Sequence, residues 1–178
     1  MRWTVFAILA AITIVCQTTL VQMLFTFNLT VGDIDPDWMF VLAVYYALWG
    51  PWPDAAIAAW ILGLVMDLSS LGRTGLLAFC YGAAAWAIIR ARHVVFREHP
   101  LTQFLITLLF GLGVQLAVVL YDRWMVENGA VPGAWRAALL KAVYTAAFAP
   151  LLHWVLLRLS FLTGLRPARR EWLLKRSG

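Results

Sequence analysis

Six long apolar stretches run through the chain, separated by short polar segments. They cover about residues 3–27, 37–50, 55–68, 74–89, 100–121 and 135–161. Hydrocarbon stretches of this kind suit helices that satisfy their own backbone hydrogen bonds while facing lipid. The pattern predicts an all-α, polytopic membrane protein, a six-helix bundle. Residues 1–165 are expected to form one six-span transmembrane domain and residues 166–178 a basic cytoplasmic tail. The first stretch follows a lone Arg2 and has the look of a signal peptide. No small-x-small cleavage site precedes a soluble domain, so a retained first span is expected. The second stretch, WMFVLAVYYALWG, is short. At 1.5 Å per residue it reaches about 20 Å, against a hydrocarbon core of roughly 30 Å. It reads either as a short, tilted or partial span or as a segment that pairs with the third stretch around GPWPD. Pro51 and Pro53 break the helix there, and Asp54 is the expected N-cap of the third span.

Composition narrows the class. The chain is 63% hydrophobic and 13% charged, whereas soluble domains carry roughly 25% charge. Net charge is +5, but the basic residues lie between spans and in the tail, which speaks for membrane orientation rather than nucleic acid. With the N-terminus inside, ten Lys and Arg fall on the cytoplasmic side: Arg2, Arg90, Arg92, Arg97, Arg158, Arg166, Arg169, Arg170, Lys175 and Arg176. Four fall outside: Arg73, Arg123, Arg136 and Lys141. Both termini are therefore expected on the cytoplasmic side of the membrane. Trp3, Trp38, Trp52, Trp124, Trp135 and Trp172 stand near span ends, as an interfacial belt requires.

Little in the chain supports catalysis. His93, His99 and His153 lack metal-ligand spacing, so neither a metal site nor a cofactor is expected. Ser69 or Ser70 with Lys141 would be the only candidate Ser–Lys dyad, and ordinary capping explains the serines. Asp67 and Asp122 sit at span ends, away from the midplane where transporters couple ions. Mid-span polar groups are mild: Gln17, Thr18, Thr19 and Gln115. Small residues recur at helical spacing, notably Ala7 and Ala11, a candidate partner-facing surface. Trp38, Trp60, Trp86 and Tyr81 could line a small-solute cavity, although aromatic side chains in spans are more often packing.

One stretch carries a denser pattern. Pro36 and Asp37 open the second span. Gly63, Asp67, Ser70 and Gly75 then form G-x-x-x-D-x-x-S-x-x-x-x-G across the reversal between spans three and four. An acid at that span end can accept hydrogen bonds from free N–H groups of the next helix near residues 73–75, and can pair with Arg73. Residues 35–82 resemble the MreD family of rod shape-determining membrane proteins. The resemblance implies a non-enzymatic scaffold of the bacterial wall-elongation machinery that helps regulate peptidoglycan synthesis. The implied partners are an MreC-like single-span protein and, indirectly, the MreB filament and the RodA glycosyltransferase with its transpeptidase. It also implies a fold similar to the six-helix substrate-binding components of energy-coupling-factor vitamin transporters. Such a transporter component is the competing functional reading.

Overall fold

The computed structural model describes residues 2–26, 36–69, 75–92, 99–125 and 133–158. Six helices follow one another: α1 (Trp3–Thr26), α2 (Trp38–Trp49), α3 (Trp52–Ser69), α4 (Leu76–Ala91), α5 (Pro100–Met125) and α6 (Ala134–Arg158). The described residues contain no strand. By length and composition α3, α5 and α6 are each able to cross a membrane, and α2 and α4 are shorter apolar helices. The protein is an all-α membrane protein.

The short α2 is the centre of the bundle. Every residue from Met39 to Leu48 is buried. A helix that is apolar all round belongs inside, surrounded by other helices, and α2 packs against all five of the others. Its twelve residues span only about 18 Å. The protein around it, rather than lipid, meets its sides.

Side-chain contacts set the helix directions. Phe6, near the start of α1, stacks edge-on against Tyr46, near the end of α2, with ring centroids 5.2 Å apart. The Asp37 backbone N–H donates to the Thr145 hydroxyl at 2.9 Å, and the Tyr45 hydroxyl lies 3.4 Å from the Leu156 carbonyl oxygen. Thus α2 and α6 run in parallel. The same holds for α2 and α4, because Tyr81 reaches Asp37 while Arg92 reaches Gly50. Asp37, Asp67 and Gly75 consequently share one end of the bundle. Gly50, Arg92 and the N-terminus of α1 share the other.

The break between α2 and α3 differs from the sequence reading in one respect. Helix α3 begins at Trp52, so Asp54 lies in its first turn and is not its N-cap. The Pro51 carbonyl accepts the first helical hydrogen bond, from Ala55 N–H at 3.0 Å. Pro53 is tolerated because N–H groups in the first turn have no intrahelical acceptor to lose. The Asp54 charge then faces the positive end of the helix dipole.

Candidate functional site

The G-x-x-x-D pattern acts where α3 meets α4. Asp67 is buried at 1% exposure. Its carboxylate accepts from the N–H groups of Gly75 (3.1 Å), Leu77 (3.1 Å) and Ala78 (2.8 Å). The first N–H groups of a helix have no partner within it. Asp67 therefore supplies acceptors from a neighbouring helix, and its charge favours the positive end of the α4 dipole. Gly75 immediately precedes α4 and adopts φ +96°, a left-handed conformation that favours glycine.

Gly63 makes this geometry reachable. It lies one turn before Asp67 on α3, packed against the first turn of α4. A Cβ placed on Gly63 would stand 2.5 Å from the Leu77 carbonyl oxygen and 2.6 Å from the Ala78 Cα. Those are backbone atoms, so relief requires the helices to separate. The buried Ala55, Ala58 and Ala59 continue the small-residue face along α3. Gly63→Ala is expected to lower stability by about 1–3 kcal/mol, the usual range for overpacking. Thermal unfolding of the purified protein in detergent checks this; an unchanged midpoint contradicts the close-approach account.

Asp37 forms a second knot. Only 4% exposed, it caps α2 through its Oδ1, which accepts from Phe40 N–H at 2.9 Å. Its Oδ2 accepts a short hydrogen bond from the Tyr81 hydroxyl of α4. With the Thr145 contact, one residue joins α2, α4 and α6. Pro36, also buried, precedes it and restricts how the chain enters the cap. At the far end of α2, the Arg92 guanidinium donates to the Gly50 carbonyl at 2.6 Å and lies 3.4 Å from the Ala47 carbonyl. An acid at the N-terminus and a cation at the C-terminus both complement the α2 dipole.

Of the residues singled out from sequence, Pro36, Asp37, Gly63, Asp67 and Gly75 gather at one end of the bundle. Ser70 and Arg73 lie outside the described residues. Ser69 donates from its hydroxyl to the Val65 carbonyl within the last turn of α3, at 2.9 Å. Ala7 and Ala11 occupy the uncovered side of α1. The aromatic residues considered for a solute cavity do not come together: Tyr81 is buried on Asp37, Trp38 packs on Phe148, and Trp60 and Trp86 lie half-uncovered on the surface. His153 is buried against the Tyr45 ring, centroids 5.8 Å apart. No metal-ligating cluster exists among the described residues. The sequence reading missed Tyr81 and Thr145 as partners of Asp37, and Arg92 as the cap of α2. A hydroxyl at position 145, within the alanine-rich TAAFA, was the available signal.

These motif positions fall inside a family match. A model described as rod shape-determining protein MreD matches residues 1–160. The chain belongs to the MreD family. No curated protein and no solved structure matches it. Membership makes the chain a component of rod-shape determination, in a family of shape-determining structural proteins rather than known enzymes. In this member of the MreD family, both motif acids are engaged in holding helix N-termini.

Proposed function

We propose that the protein is a non-enzymatic scaffold of the bacterial wall-elongation complex. It sits in the inner membrane with both termini cytoplasmic, bound to an MreC-like single-span protein and through it to the MreB filament and the RodA synthase pair. The family match over residues 1–160 carries this reading. The two buried acids support it: Asp37 and Asp67 accept from backbone and tyrosine donors, an arrangement suited to fixing a shape that a partner recognises. The excess of Lys and Arg in the segments at the Arg92 end supports the orientation. The uncovered side of α1, with Ala7, Ala11, Ile8 and Ile12, is the surface we assign to the partner's span.

Affinity purification from mild detergent tests the role. A single-span protein with a periplasmic domain is expected to co-purify, and Ala7→Leu with Ala11→Leu is expected to release it. Recovery of an ATPase module with a coupling subunit would overturn the scaffold reading in favour of a transporter component.

A further inference from the structure

The seam between α4 and α5 is open, in contrast to the extensive α3–α4 and α5–α6 packing. A cavity of about 270 Å³ occupies it, lined by Phe79, Cys80, Ala83 and Ala87 of α4 and by Phe110 and Gly113 of α5, among others. None of these side chains brings a strong hydrogen-bonding group. Gly113 faces open space: a Cβ built there meets nothing within 4 Å. Along α4, Ala83, Ala87 and Arg90 follow at i, i+4 and i+7, so the stripe that floors the cleft leads to a cation. Arg90 is uncovered, and its guanidinium carbon lies 5.5 Å from the centroid of the Trp86 ring. Neither Trp86 nor Arg90 lines the cleft itself; Arg90 stands three residues beyond Ala87, the last α4 residue of the lining, in the last turn of α4 where headgroups lie.

Size and charge select the occupant. The α4 wall from Phe79 to Ala87 is only about 12 Å long. A transmembrane helix is about 10 Å across and runs the full roughly 30 Å of the core, so it does not enter such a cleft. A single hydrocarbon chain is thin enough. A guanidinium in a fixed position matches a phosphate oxygen pair. We propose that the α4–α5 cleft binds one acyl chain of an anionic phospholipid whose headgroup rests on the Trp86–Arg90 pair. Trp154 and Arg158 form a comparable pair, at 4.6 Å, on α6, a helix that contributes no residue to the cleft lining, whereas α4 supplies five. They provide an internal control. This inference does not rest on the scaffold role, because its readout involves no partner protein.

Native mass spectrometry of the delipidated protein titrated with dioleoyl-phosphatidylglycerol, or with the phosphatidylcholine of the same chains, tests the assignment. One phosphatidylglycerol is expected to bind in preference to phosphatidylcholine by about fivefold, the factor that roughly 1 kcal/mol for one basic residue near the headgroups provides. Arg90→Gln is expected to abolish that preference and Arg158→Gln to leave it intact. Gly113→Leu, or Ala83→Leu as an independent filling of the same cleft, is expected to reduce retention of both lipids with the thermal midpoint unchanged. Equal retention of the two lipids by the unaltered protein, or full retention by folded Gly113→Leu and Ala83→Leu variants, would overturn the proposal.

Discussion

Asp67→Ala is expected to lower the stability of the isolated protein by about 3–5 kcal/mol, because three N–H donors at the start of α4 lose their acceptor together and an unsatisfied buried group costs roughly 1–3 kcal/mol. In a chain of this size that corresponds to a fall of about 10 °C in the unfolding midpoint. The loss should appear in detergent with no partner present. Asp67→Asn keeps one acceptor oxygen but turns an amide N–H₂ towards N–H groups and removes the charge that favours the helix N-terminus. It should fall between alanine and the unaltered protein. Gly63 and Asp67 share the α3–α4 contact, so their substitutions should couple: the combined loss in Gly63→Ala/Asp67→Ala should be smaller than the sum of the separate losses. Additive losses would show that the glycine does not serve the carboxylate.

Asp37→Ala should cost about 2–4 kcal/mol, combining the loss of an N-cap with a buried Tyr81 hydroxyl left without its acceptor. Asp37→Ser separates the two contributions. Serine can still cap α2, but its shorter side chain does not serve Phe40 N–H and Tyr81 together. It should restore about 1 kcal/mol. Tyr81→Phe removes the donor, and in the Asp37→Ala background it should have little further effect. Differential scanning fluorimetry of the four proteins reads the cycle. A full second loss in the double variant would mean that the Asp37–Tyr81 hydrogen bond does not stabilise the fold.

Both acids are costly to bury and are accommodated by the same means. A carboxylate among helices is stable only when its charge is matched by several oriented donors. Asp67 finds them in the first turn of α4, and Asp37 in the first turn of α2 and in Tyr81. Each acid thereby fixes how one helix starts against another. Asp37 sets α2 relative to α4 and α6, and Asp67 sets α4 relative to α3. Because α2 is the buried centre, errors at these two points would propagate to the outer helices.

Much of this was legible in the sequence, for physical reasons. Long apolar runs bounded by Pro and Gly mark helices with small error, and the six observed helices lie within a few residues of the predicted stretches. The capacity of Asp67 to accept from the next helix could be argued from its position, since the donors, Gly75 to Ala78, are close in sequence. The α2 pattern was visible, but its shortness read as a partial span. That its sides meet protein was not visible, because this depends on neighbours brought from α4, α5 and α6. The Asp37 knot was hidden for the same reason. Its partners are 44 and 108 residues away, and local patterns do not encode such pairings. Arg92 read as one more basic residue near a loop, whereas it reaches 42 residues back to the end of α2. The N-cap assigned to Asp54 failed by three residues, since the cap falls at Pro51, because proline is permitted within the first turn of a helix.

The most direct test of the central claim, that the motif acids act by holding the fold, is a comparison of cell shape with the amount of folded protein. The native host is depleted of its chromosomal copy and supplied with the unaltered chain, Asp37→Ala, Asp67→Ala or Gly63→Ala at graded expression. Cell length-to-width ratio is then plotted against folded protein recovered from the membrane. All four proteins are predicted to fall on one curve, with rod shape returning wherever the folded amount returns. A variant present at the unaltered level, with an unchanged unfolding midpoint and yet spherical cells, would contradict the account and assign that acid a direct role beyond the fold.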